Sequence, residues 1–185
     1  MALERSRSLR CENSLVNRIY IKRLILLTLV IAWMAVIFVF SAQTSAESSD
    51  LSTGVTRVVC SIFVSGFDKM PDEEKMNVIM EAEEVIRTMG HGLEFCGLAV
   101  LLAVLIGTYE RIGILSINGY SNWALAVFLS VAYAVTDEVH QIFVPGRVFD
   151  WYDIGVDTIG AAIGALLATW ICWSIAGHGR KNGLS

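Results

Sequence analysis

Four apolar runs, residues 24–40, 93–109, 123–135 with a polar extension to 144, and 154–175, decide what this chain can become. Each can supply the roughly 20 helical residues that cross a hydrocarbon core of about 30 Å. The composition agrees, with 55% hydrophobic and 17% charged residues, well outside the range of a soluble domain. The expected fold is all-α, a polytopic membrane protein built as a four-transmembrane-helix bundle. Its single membrane domain covers residues 24–175, between a basic tail over 1–23 and a second tail over 176–185.

The first run has a basic flank like a signal peptide, yet it exceeds the usual h-region of about 7–15 residues. Ser41-Ala42-Gln43 is only a loose cleavage match, so retention as an anchor is expected. Orientation follows Lys and Arg rather than net charge. Arg5, Arg7, Arg10, Arg18, Lys22 and Arg23 precede the first run, and Arg180 and Lys181 follow the last. Arg57, Lys69, Lys75 and Arg87 are spread through the long, acid-rich stretch 41–90, Arg111 stands alone between the second and third runs, and Arg147 alone between the third and fourth. Both termini are therefore expected in the cytoplasm, with residues 41–90 and 137–153 outside. The net charge of −4 hides this asymmetry, because half of the acidic residues lie in the first outer loop. No basic patch with interleaved aromatics marks nucleic acid as a partner. Cys11, Cys60, Cys96 and Cys172 fall in different compartments of this topology and read as free thiols.

The outer loop has helical periodicity. Leu51, Val55, Val58, Val59, Ile62 and Phe63 predict an amphipathic segment along the interface or on the bundle mouth. A second helix is expected after Asp68 as cap and Pro71 in the first turn, with Asp72, Glu73 and Glu74 complementing its dipole. Met76, Ile79, Met80 and Ile86 would be its apolar face, and the pair would form a lid or strut.

The run Thr136-Asp137-Glu138-Val139-His140-Gln141 closes the third apolar segment with ionisable groups that are expensive near lipid and usually mark a site. Alternating helix direction brings other polar residues to the same level. Ser41 and Gln43 lie beyond the first helix, His91 and Glu94 open the second, and Asp153 and Asp157 open the fourth. Spacing places His91 with Glu94, Asp137 with His140 and Gln141, and Asp153 with Asp157 on shared faces. Asp153 suits N-terminal capping equally well. Asp157 lies a turn deeper, ahead of Gly160, Ala161, Gly164, Ala165 and Ala168, whose spacing marks a close helix–helix contact.

Three segments resemble the VanZ-like family of bacterial membrane proteins: Arg87-Thr88-Met89-Gly90-His91-Gly92-Leu93-Glu94, the run from Thr136 through Val144-Pro145-Gly146-Arg147, and Asp153-Ile154-Gly155-Val156-Asp157-Thr158-Ile159-Gly160. Phe40-Ser41-Ala42-Gln43 looks like that family's opening motif. The resemblance spans roughly residues 24–170. It implies a four-helix bundle of the bacterial cytoplasmic membrane, whose namesake is associated with low-level resistance to the glycopeptide teicoplanin. The family's polar signature falls on Ser41, Gln43, Arg87, His91, Glu94, Asp137, Glu138, Gln141, Arg147, Asp153 and Asp157. Thr88 stands where a second basic residue is common, and Phe95 where Tyr often follows the acid.

Two function classes fit. In the first, an enzyme of the outer leaflet acts on a lipid-linked or cell-wall substrate. Its catalytic candidates are His91, Glu94, Asp137, Glu138 and Asp157; Ser41, Gln43, Arg87, Gln141, Arg147 and Asp153 bind substrate. No cofactor is specified by any motif. A divalent metal is compatible with His91, Glu94, Asp137, His140 and Asp157, although no H-E-x-x-H spacing supports one. In the second class, a non-catalytic protein binds or shields an envelope component, or a small transporter-like relay uses buried carboxylates. Four helices without an inverted repeat argue against a self-sufficient carrier, and a homodimer would supply the missing half.

Overall fold

The structure, a computed structural model, describes residues 2–110 and 119–182. Arg111, the basic residue between the second and third runs, lies outside the described residues. The elements are α1 (Ala2–Ser41), α2 (Ser45–Phe63), a 3₁₀ turn (Phe67–Lys69), α3 (Asp72–Glu110), α4 (Gly119–Gln141) and α5 (Trp151–Asn182). No strand occurs among the described residues. Three helices are long and apolar enough to cross a membrane, over Val16–Ser41, Asp72–Tyr109 and Trp151–Cys172. The 23-residue α4 is not one of them, because Ser121, Asn122 and the polar run from Thr136 dilute its apolar stretch.

The expected break between a loop helix and the second span is absent. α3 runs unbroken for 39 residues, so His91 and Glu94 sit in mid-helix rather than opening one. The sequence contains no proline between positions 72 and 110, and a Gly such as Gly90 lowers helix propensity by only about 1 kcal/mol without removing a backbone hydrogen bond. Asp68 is not the cap either. It lies in the 3₁₀ turn, and the Pro71 carbonyl accepts the first helical N–H, from Lys75, at 3.0 Å.

The main core draws on α1, α3, α4 and α5, with Val30, Ile37, Phe95, Leu98, Ala99, Ala126, Ala134, Ala161 and Ala165 buried together. Phe95, standing where the resemblance favours Tyr, is fully buried here, its ring 6.1 Å from that of Tyr133. Between helices in lipid, van der Waals packing and hydrogen bonds replace the hydrophobic drive, so small residues matter. The α3–α5 contact is the closest: a Cβ on Gly160 would fall on the Gly92 carbonyl, and one on Gly164 on the Cys96 carbonyl. Aromatic donors stitch the remaining pairs. Trp33 Nε1 donates to the Glu94 carbonyl at 2.8 Å, Trp123 Nε1 to the Ala162 carbonyl at 3.0 Å, and Tyr133 Oη to the Met34 carbonyl at 2.7 Å. At the far end buried Arg23 donates to the Thr108 hydroxyl and carbonyl and lies over the Tyr109 ring.

A second, smaller core of Cys60, Phe67 and Ile79 joins α2 to the first half of α3. The loop is thus a helical hairpin continuous with the bundle. Thr44 caps α2 in a reciprocal capping box with Glu47, and these hydrogen bonds, from the Thr44 backbone first, hold the exposed Glu47 carboxyl below its ordinary range. Ser52 and Thr53 hydroxyls donate to the Glu83 carboxylate at 2.6 and 3.2 Å, fixing how α2 leans on α3.

Candidate functional site

α4 ends at Gln141, and the chain turns through Pro145 and Gly146 before α5. Gly146 has φ +79°, in the left-handed region that Gly enters without strain, and a Cβ there would meet the Ser45 side chain. The turn docks on the α1–α2 junction: the Ser45 N–H donates to the Pro145 carbonyl at 3.3 Å and Arg147 Nε to the Gln43 carbonyl at 3.4 Å. The same turn is tied from below. Glu138, only 2% exposed, accepts the Asp150 N–H at 3.0 Å. Asp150 in turn accepts the Tyr152 N–H at 2.8 Å and is the cap of α5, so the capping alternative considered for Asp153 falls to Asp150.

A cavity of about 190 Å³ opens between the C-terminal ends of α1 and α4, the first half of α2, the middle of α3 and this turn. Its polar wall carries Ser41, Gln43, Arg87, His91, Glu94, Asp137 and Arg147. Phe40, Leu51, Val55 and Ile86 form the apolar wall. Seven sequence-predicted site residues from four segments of the chain therefore meet in one chamber. His91 and Glu94 reach it from one face of α3 because they are three residues apart.

The other predicted residues stand behind the wall. Gln141 Nε2 donates to the Ser41 hydroxyl at 3.2 Å, bracing a cavity residue from inside the protein. Glu138 holds the turn, and Asp153 is half-buried in the first turn of α5. Asp157 is 2% exposed and within electrostatic reach of Asp153, Asp137, Glu138 and Glu94. The GxxxG contact brings it there, since Gly160 one turn on is pressed against the α3 backbone beside His91. His140 points elsewhere, its ring 4.5 Å from Phe38.

Two buried carboxylates, Asp137 and Asp157, each leave Oδ1 without a hydrogen-bond partner. Arg147 has no carboxylate within ion-pair distance; the described residues contain one ion pair, Lys75 with Asp72. Among the described residues no group of three His, Cys, Asp or Glu side chains is arranged to hold a metal. The chamber offers guanidinium donors for an anion, carboxylate acceptors for a donor, and an imidazole.

Sequence reasoning missed the contribution of α2. Ser48, Leu51, Ser52 and Val55 line the cavity, with Ile86 and Gly90 from α3. The Leu51 and Val55 spacing predicted an amphipathic helix along the interface or on the bundle mouth, but named none of its residues as part of the site. No curated protein and no solved structure matches the chain. The family model VanZ/LLP1 matches residues 26–172, a stretch that contains every residue lining the cavity. The chain is a membrane protein that belongs to the VanZ/LLP1 family.

Proposed function

We propose that this protein binds the anionic headgroup of a lipid-linked envelope component in the cavity, at the outer face of the bacterial cytoplasmic membrane. One observation carries the reading: Arg87 and Arg147 line a chamber that Phe40, Leu51, Val55 and Ile86 also line, and Arg147 has no carboxylate within ion-pair distance among the described residues. Guanidinium groups suit phosphate or carboxylate, and Phe40, Leu51, Val55 and Ile86 suit the adjoining chain of an amphiphile. In this topology α4 crosses with the other helices as the fourth span, both termini are cytoplasmic, and a second copy is compatible with the exposed apolar helix faces. Family membership connects the reading to envelope-directed glycopeptides such as teicoplanin by analogy.

A second reading, catalysis on the same ligand, is favoured by His91 and Glu94 lining one chamber within a helical turn of each other. His91 would move a proton, with Glu94 adjusting its charge. Purified protein in lipid nanodiscs distinguishes the readings. Arg147-dependent binding of a lipid-linked phosphate without turnover supports the first, and turnover abolished by His91→Ala supports the second. No binding of any anionic lipid overturns both.

A further inference from the structure

Asp137 is the least accommodated group in the cavity. It is 6% exposed, lines the chamber, and has an Oδ1 with no hydrogen-bond partner. Ser41 and Gln141, which also hydrogen-bond each other, hydrogen-bond its carboxyl, and Arg147 and His140 lie within electrostatic reach, yet Oδ1 is left over. Glu94 lines the same chamber and His91 is one turn away on the same helix. A buried acceptor without a partner is costly, and the groups that would relieve it, Arg87 and Arg147, make no ion pair with it. Deep acceptors thus share the chamber with guanidinium donors, and Arg147 acts on Asp137 only from beyond ion-pair distance.

A simple anion such as a bare phosphate monoester would satisfy only the guanidiniums. It would also bring its charge toward Asp137 and Glu94, where like charges repel. A ligand that carries a hydrogen-bond donor a few bonds from its phosphate satisfies both sets at once. We propose that the cavity selects a bipolar headgroup, in which a phosphodiester contacts Arg87 and Arg147 while a hydroxyl or ammonium group donates to Asp137. This rests on the anionic-headgroup reading above and narrows it. The apolar wall from α2 and α3 then receives the start of the lipid chain. The discriminating residue is Asp137, and specificity arises because a headgroup lacking the donor leaves a buried carboxylate unpaired.

The test uses full-length protein in phosphatidylcholine nanodiscs, titrated with short-chain phospholipids whose heads differ in the donor they carry and, for the ethanolamine head, in net charge. Phosphatidylmethanol has none, phosphatidylglycerol has hydroxyls, and phosphatidylethanolamine has an ammonium. Expected is binding of the last two about tenfold tighter than phosphatidylmethanol, the scale of one hydrogen bond to a charged acceptor. Whichever of the two is tighter identifies the donor. Asp137→Leu removes the preference, because phosphatidylmethanol loses the like-charge repulsion and the other two heads lose their acceptor; Asp137→Asn, nearly isosteric, removes it for the ammonium head. Equal affinity for all three heads, weakened alike by Arg147→Lys, overturns this inference while leaving the anionic site standing. A preference that survives both Asp137 variants also overturns it. If no head binds, the anionic-headgroup reading itself falls; if neither variant folds, the wild-type series alone decides.

Discussion

Gly160 of α5 lies directly against the main-chain carbonyl of Gly92 in α3, so closely that a Cβ would occupy the same space. Gly92 is the residue after His91, and Asp157 is one turn before Gly160. The contact therefore sets both helix spacing and the register of the site. Gly160→Val should cost about 3 kcal/mol or more, because the obstacle is backbone rather than a flexible side chain. Gly155→Ala is the control, since a Cβ there meets nothing within 4 Å. Thermal unfolding in detergent should separate them clearly; equal melting would mean that the helices are not in this contact.

Arg147→Lys should leave folding nearly untouched and weaken headgroup binding about tenfold or more. The Arg147 bond to the Gln43 carbonyl is long, at 3.4 Å, and it is half-buried, so its loss is small. The planar pair of N–H donors, which Lys lacks, is what a phosphate or carboxylate would use. Wild-type affinity in this variant would reduce Arg147 to a strut of the turn.

Glu138 is expected to position rather than react. Its carboxylate accepts the Asp150 N–H beneath the Arg147 turn, and Glu138 is not among the residues that line the cavity. Glu138→Gln keeps an acceptor oxygen and should retain most binding. Glu138→Ala should destabilise by about 1–3 kcal/mol and loosen the turn. If Glu138→Gln instead abolished a turnover that the wild type performs, with stability intact, Glu138 would belong to the chemistry.

Thr44→Ala should fray the start of α2 by about 1 kcal/mol, raising amide exchange at Glu47 and Ser48. Acid acts in the same direction. Hydrogen bonds from Thr44 depress the Glu47 carboxyl, so the cap is fully formed above the ordinary carboxylate range and is lost as pH falls through the depressed value. Ser48 and Leu51 line the cavity, so the expected readout includes weaker headgroup binding at low pH in Thr44→Ala than in wild type. Unchanged exchange at those amides would show that packing on α3 alone holds α2.

Topology can be read with a surface thiol, though not with the native one, because Cys60 is 3% exposed in the small core. Cysteine placed at the exposed Ser65 should react with an impermeant reagent from outside intact cells. Reaction only after the cytoplasm is opened would put the cavity on the inner face.

Apolar run length alone announced a helical membrane protein, because backbone polar groups in lipid must be satisfied within the segment. Small-residue spacing in the last run announced the α5 contact, since only Gly at 160 and 164 admits another backbone so near. Spacing also placed His91 with Glu94, a property of one helix and therefore local. Other features depend on partners distant in the chain. Whether Gly90 ends a helix is settled by what packs on either side, and α3 continues past it. Glu138 and Asp137 are adjacent in sequence, yet a helix turns adjacent side chains about 100° apart, so one meets the cavity and the other the Asp150 turn. Asp150 rather than Asp153 caps α5 because the Glu138 anchor fixes where the chain re-enters a helix. The roof over the cavity needed the Ser52–Glu83 and Thr53–Glu83 bonds, which join residues 31 and 30 positions apart. Periodicity specifies which face of α2 is apolar; only the tertiary fold, by leaning that face over Arg87 and His91, turned it into the wall of a site.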